Sequence, residues 1–141
     1  MNKKGPIVVI EDDVDDQEIL KEIFNRLAYK NEILFFDDGN KAFEFINDPT
    51  SKPFIILSDV NMPKMDGFEL RNKMFTNQHS QKRHVPYLFF TTGTHRKAVV
   101  DAYALSVQGF FIKPSNIAAL ESTLKKIIDY WQECISPCHY D

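Results

Sequence analysis

The stretch Ile7-Val8-Val9-Ile10-Glu11-Asp12-Asp13 joins four consecutive apolar residues to three acidic ones. A short apolar run without polar alternation is typical of a strand that is buried on both faces, as in a parallel sheet. Runs of the same kind recur at 33–36, 54–57, 87–90 and 110–112. The sequence therefore predicts five buried strands, the first of which ends in a group of carboxylates.

Segments with helical spacing alternate with these strands. Their apolar residues recur every three or four positions, and we expect each apolar face to pack in the core. These faces lie at 19–27, 42–46, 68–75, 99–104 and 120–131. Alternating strands and helices indicate an α/β fold, and right-handed crossovers then favour a doubly wound parallel sheet of five strands with five helices. In such folds ligands bind beyond the carboxyl ends of the strands.

Polar side chains follow four of the predicted strands. In strand order they are Glu11 and Asp12, then Asp59, then Thr91, then Lys113. Clustered carboxylates repel one another, and a hard cation such as Mg²⁺ relieves that repulsion. A hydroxyl and an ammonium group complete a cradle for a phosphoryl group, whose transfer depends on positioning and charge stabilisation. Each residue alone has a commoner role, such as a helix cap, but their convergence indicates phosphoryl chemistry. Asp15 and Asp16 are interpreted only as first-turn helix residues.

Composition excludes several classes of protein. The chain has 141 residues, of which 43% are hydrophobic, and a net charge of −3. These values fit one globular domain and argue against a nucleic-acid surface, which needs a basic stripe. No apolar run approaches the roughly 20 residues of a membrane span, so we expect a cytoplasmic protein without membrane contact. In that compartment Cys134 and Cys138 are interpreted as free thiols.

Four sequence blocks carry a family resemblance. They are IVVIEDD at 7–13, ILSDVNMPKMDG at 56–67, FFTTG at 89–93 and GFFIKP at 109–114. In this order and spacing they closely resemble the receiver domain of bacterial response regulators. The resemblance implies a flavodoxin-like fold with strand order 2-1-3-4-5, which is the order of the chemotaxis receivers. It also implies a single receiver domain over residues 1–141, without an output domain.

The resemblance assigns a phosphoacceptor and a metal site. Asp59 matches the aspartate that accepts the phosphoryl group. Mg²⁺ would be bound by Glu11, Asp12 and Asp59 together with the backbone carbonyl of Asn61. Within the acidic pair, Asp12 would make the more direct contact and Glu11 would act largely through water.

The remaining family positions concern the phosphoryl group and the response to it. Thr91 would hydrogen-bond the phosphoryl group, Lys113 would pair with it, and Thr91 and Phe110 would form the conformational switch. The bond between Lys113 and Pro114 matches a cis peptide of the family. The expected donor is a histidine kinase or a histidine phosphotransfer protein. A downstream effector or a second copy of the chain would bind the face of the fourth helix, fifth strand and fifth helix.

Two alternatives remain open at this point. An aspartate-nucleophile phosphatase would typically carry a second Asp two residues after the nucleophile, where this chain has Asn61, and a cap for which the sequence leaves no room. A pseudo-receiver would bind partners without phosphorylation, but its acidic pocket would normally be eroded. We therefore expect that the protein is not an enzyme in the usual sense. It would catalyse only its own phosphorylation and dephosphorylation.

Overall fold

The computed structural model describes residues 1–62, 64–76 and 84–135. Five parallel strands form one sheet in the order β2-β1-β3-β4-β5. The strands are β1 (Ile7–Ile10), β2 (Ile33–Phe36), β3 (Ile55–Ser58), β4 (Tyr87–Thr91) and β5 (Gly109–Ile112). The predicted strands and the implied strand order are therefore confirmed, with every strand end within one residue of its predicted position.

The helices cover both faces of this sheet. They are α1 (Val14–Leu27), α2 (Gly39–Asn47), α3 (Gly67–Thr76), α4 (Arg96–Ala104) and α5 (Ile117–Glu133). Residues of α1 and α5 pack with Ile7 and Val9 in one buried cluster, whereas residues of α2, α3 and α4 pack with Val8 and Ile10 in another. Alternate residues of β1 thus point to opposite faces, as a doubly wound sheet requires. Among the helices described, none is long and apolar enough to cross a bilayer.

The connection between β1 and α1 is held by a helix cap. The carboxylate of Asp13 accepts hydrogen bonds from the backbone N–H groups of Asp15 (2.8 Å) and Asp16 (3.1 Å). These N–H groups have no partner within the helix, so an aspartate at this position stabilises the helix start. The carboxylate of Asp13 is therefore bound to the backbone of α1. Glu11 and Asp12 are the two acidic side chains that remain at the end of β1.

The face predicted for α4 is wrong. The sequence predicts Val100 and Tyr103 in the core, but they are 56% and 52% exposed, whereas Ala102 is fully buried. Helical periodicity defines stripes along a helix, but a short helix of mixed polarity does not reveal which stripe faces the sheet. Here the helix turns the small side chain of Ala102 inward, Val99 is half-buried, and Val100 and Tyr103 lie on the surface. Of the two cysteines, Cys134 is a half-buried thiol, and Cys138 lies outside the described residues.

Gly67, at the start of α3, lies against the residue that ends β3. A Cβ atom at this position would lie 2.4 Å from the backbone oxygen of Asp59 and 2.7 Å from the ring of Phe89. The N–H of Gly67 also donates to the carbonyl of Val60 at 2.9 Å. The close approach of two backbone segments therefore requires glycine here, because any side chain would displace Asp59.

We expect Gly67→Ala to lower the free energy of unfolding by about 2 kcal/mol or more, the usual cost of an overpacked core position. Chemical denaturation followed by circular dichroism measures this difference. Gly93→Ala is the matched control, since a Cβ at Gly93 meets no atom within 4 Å and should change stability by less than about 0.5 kcal/mol. Equal stability of the two variants would contradict the close packing of α3 on Asp59.

Candidate functional site

Three carboxylates meet at the carboxyl edge of the sheet. Glu11 and Asp12 follow β1, Asp59 follows β3, and one oxygen from each lies within 4.8 Å of the others. β1 and β3 are hydrogen-bonded neighbours, which is why their ends coincide. Glu11 is buried, Asp59 half-buried and Asp12 exposed, so the group opens to solvent on one side. Carboxylate oxygens with an open side suit a hard divalent cation that keeps some of its water.

Asp59 is fixed through its backbone and one of its two carboxylate oxygens. Its N–H donates to the carbonyl of Ile10 at 2.9 Å, which ties the residue to β1. Oδ1 accepts from the N–H of Val60 at 2.7 Å and, at 3.4 Å, from that of Asn61. Oδ2 lies 3.8 Å from Nζ of Lys113. The carboxylate therefore has one oxygen held by the main chain and one that faces an ammonium group.

Lys113, immediately after β5, brings a positive charge into this group. Its Nζ donates to Glu11 Oε1 and to Asp16 Oδ2, the latter at 3.3 Å. Its backbone N–H donates to the carbonyl of Thr91 at 2.7 Å. Only 8% of the Lys113 side chain is exposed, so this charge interacts with its neighbours under weak solvent screening.

This group contains more carboxylates than cations, and the pKa values of Glu11 and Lys113 are both raised. Burial raises the pKa of Glu11 to about 7; Lys113 opposes the shift and Asp59 adds to it. Burial acts to lower the pKa of Lys113, but Glu11, Asp59 and Asp16 outweigh burial and raise it above its usual value. Lys113 therefore keeps its proton at neutral pH, whereas Glu11 is present in both its protonated and its ionised form.

The raised pKa of Glu11 makes the metal-free fold more stable in mild acid. Between pH 4.5 and 7 the folded chain retains a proton on Glu11 that the unfolded chain has lost, so the free energy of unfolding falls as pH rises. We expect the parent to lose about 3 kcal/mol relative to Glu11→Gln across this window. Urea denaturation of both proteins in chelator at several pH values measures the difference. If the free energies of unfolding of the two proteins changed with pH in parallel, the raised pKa of Glu11 would be contradicted.

The other predicted site residues lie around this group. Thr91 is buried at the end of β4, and the exposed Asn61 follows Asp59 by two residues. Phe110 on β5 is half-buried, with its ring 5.8 Å from that of Phe89. The implied cis peptide is wrong, because the bond between Lys113 and Pro114 is trans, the form that prolyl bonds generally prefer.

Asp16 is the residue whose contact the sequence analysis missed. It lies in the first turn of α1, as expected, but its carboxylate also pairs with Lys113, 97 positions away in the chain. A first-turn residue of the helix after β1 lies near the same edge of the sheet as the strand ends, and that was the available signal. Helical position alone does not show which first-turn side chain turns toward the site.

Comparison with known proteins agrees with this geometry. The family model of the response regulator receiver domain matches residues 7–125. Response regulator Rcp1 of Synechocystis is 25% identical over 140 residues, which cover 96% of this chain and 94% of Rcp1. Chemotaxis protein CheY-3 of Vibrio cholerae is 26% identical over 129 residues, which cover 92% of this chain and 95% of CheY-3.

A solved structure supports both the fold and the kind of site. The crystal structure of the Mn²⁺-bound form of Rcp1 superposes with a TM-score of 0.80 at 25% identity, covering 93% of this chain and 96% of that one. The similarity extends over nearly the whole of both chains. A relative with this fold therefore binds a divalent cation, and this chain has an acidic cluster that could do so.

Proposed function

This chain belongs to the response regulator receiver domain family of two-component signalling, and we propose that it accepts a phosphoryl group on Asp59. The donor would be a histidine kinase or a histidine phosphotransfer protein. The observation that carries the proposal is the position of Asp59, which shares a cluster with Glu11 and Asp12 and faces the ammonium group of Lys113. Both a metal-binding set and a fixed positive charge thus border one carboxylate.

Mg²⁺ is the cofactor that we propose for this site. Glu11, Asp12 and Asp59, with the backbone carbonyl of Asn61, would hold it. The fit is chemical: three carboxylates within 4.8 Å of one another carry more negative charge than Lys113 balances, and all are oxygen ligands. Bound Mg²⁺ would offset the charge that gathers between the carboxylates and the phosphoryl oxygens.

The residues of the chain would divide the reaction between them. An oxygen of Asp59 forms a bond to phosphorus while the bond from phosphorus to the donor's imidazole nitrogen breaks, and the imidazole keeps the bonding pair. The main-chain contacts of Oδ1 hold the carboxylate so that Oδ2 is the oxygen free to attack. Thr91 and Lys113 would then bind the new phosphoryl oxygens, so that their positions compensate charge that develops in the transition state.

The phosphorylated state would be transmitted by a change of surface. We propose that recruitment of Thr91 draws Phe110 inward and alters the face formed by α4, β5 and α5, which is a shift between two states. This face carries exposed apolar side chains on all three elements: Val100, Tyr103, Ile112 and Ile117. A downstream protein effector or a second copy of the chain would bind there. Residues 1–141 would act as one receiver domain that turns over no other substrate.

Phosphorylation by a small donor tests this proposal. Incubation with acetyl phosphate and Mg²⁺, followed by intact mass spectrometry, is expected to show one phosphoryl adduct that fails to form when the metal is chelated. A purified histidine kinase provides the second donor. A chain that forms no adduct with either donor would be a pseudo-receiver, and the proposal would be wrong.

A further inference from the structure

Lys113 has a third acidic neighbour that the reaction above does not use. Oδ2 of Asp16 lies 3.3 Å from its Nζ, closer than Oδ2 of Asp59 at 3.8 Å. The side chains differ in burial, with Asp16 33% exposed and Lys113 8% exposed. The pair is therefore partly shielded from solvent, unlike the exposed ion pairs elsewhere on the helices, so its interaction is weakly screened.

We propose that Asp16 is a positioning residue that holds the Lys113 ammonium group back from Asp59 and so restrains phosphorylation. The inference rests on the proposed function of Asp59. An ammonium group has three protons, and in this structure Glu11 and Asp16 accept two donor contacts while Asp59 lies beyond hydrogen-bond distance. Before any phosphoryl group arrives, Lys113 thus donates to Glu11 and to Asp16 on α1 rather than to the phosphoacceptor.

Asp16 would slow phosphorylation in two ways. Its charge attracts Lys113 away from the oxygen that receives the phosphoryl group. Its charge also adds to the negative potential that an anionic phosphoryl donor must approach. Removing the charge while keeping the shape should therefore release Lys113 toward Asp59 and speed phosphorylation.

Asp15 provides a matched control within the same helical turn. Both residues follow the Asp13 cap, and the backbone N–H of each donates to that carboxylate. Loss of either charge has a similar effect on the helix dipole, which favours negative charge in the first turn. Asp15 is exposed, and Lys113 pairs with Asp16 rather than with Asp15 among the ion pairs described. Only the Asp16 substitution should change the reaction.

The experiment compares phosphorylation rates at saturating Mg²⁺ and fixed acetyl phosphate. We expect Asp16→Asn to accept the phosphoryl group about fivefold faster than the parent and Asp15→Asn to stay within about twofold of it. Asp16→Glu should keep the parental rate because it retains the charge. A cavity of about 280 Å³, lined by Asp16, Thr92, Lys113 and Ser115 among others, leaves room for the longer side chain.

A spectroscopic readout separates positioning from a general effect on the fold. The ¹⁵N signal of the Lys113 ammonium group, assigned by its loss in Lys113→Arg, should shift in Asp16→Asn and stay in place in Asp15→Asn. Both variants remove a first-turn charge, and Asp16→Asn in addition loses the ion pair with Lys113, so thermal unfolding is used to show that each variant is folded at the temperature of the rate measurement.

The possible failures are distinguishable. If the parent forms no adduct, the proposed function of Asp59 is wrong, and the ammonium signal still tests the contact with Asp16. If the parent is phosphorylated but Asp16→Asn reacts at the rate of Asp15→Asn, or more slowly, the inference about Asp16 is overturned while the function stands. An Asp16→Glu variant as fast as Asp16→Asn would overturn it too, since charge would then not be the cause.

Discussion

The Asp59→Asn variant is expected to form no phosphoryl adduct with acetyl phosphate and Mg²⁺ under conditions that modify the parent fully. An amide oxygen is a far weaker nucleophile than a carboxylate, and the substitution also removes one of the three acidic groups of the cluster. Asparagine keeps an oxygen that can accept the hydrogen bond from the N–H of Val60. The local fold should therefore persist, and the lost reactivity can be assigned to the carboxylate. Intact mass spectrometry measures the outcome.

Asp66→Asn is the matched control for this prediction. Asp66 lies in the same β3–α3 connection, and its carboxylate accepts from the backbone N–H of Glu69 at 2.9 Å, which asparagine can also do. It should be phosphorylated at the parental rate. An adduct that survives in Asp59→Asn would mean that a different residue accepts the phosphoryl group. Loss of the adduct in both variants would mean that charge in this loop, rather than Asp59 itself, is required.

The positions of the strands could be anticipated because buried parallel strands leave a strong signal in the sequence. Buried on both faces, they appear as uninterrupted apolar runs, and the polar residues that follow them must meet at one edge of the sheet. Glu11, Asp12, Asp59 and Lys113 therefore come together as predicted. The strand order itself needed the family resemblance, since alternation of strands and helices does not specify it.

Side-chain directions on the helices could not be anticipated in the same way. Helical periodicity predicts that the apolar positions of α4 lie in the core, yet Val100 and Tyr103 face solvent and Ala102 is the residue that is fully buried. The sequence predicts only a first-turn role for Asp16, yet its carboxylate turns toward Lys113. Both outcomes depend on the rotation of a helix about its axis, which tertiary packing fixes and local sequence does not.

Asp12→Ala is expected to weaken Mg²⁺ binding at least about tenfold, whereas Asp13→Ala should leave the affinity within about twofold of the parent. Asp12 offers a carboxylate oxygen to the acidic cluster. The carboxylate of Asp13 instead caps α1 through the N–H groups of Asp15 and Asp16. Isothermal titration calorimetry of the two variants and the parent, at one pH and ionic strength, measures the difference.

The free energy of unfolding of the metal-free protein should rank the two variants the other way, with Asp13→Ala the more strongly affected. Asp13→Ala leaves two N–H groups at the start of α1 without their acceptor and should lower the free energy of unfolding by about 1 kcal/mol. Asp12→Ala removes an exposed carboxylate that neighbours two others, so the metal-free protein should be as stable as the parent or slightly more so. Equal losses of Mg²⁺ affinity in both variants would show that Asp13 leaves its cap to reach the metal. The register assigned to the end of β1 would then be wrong.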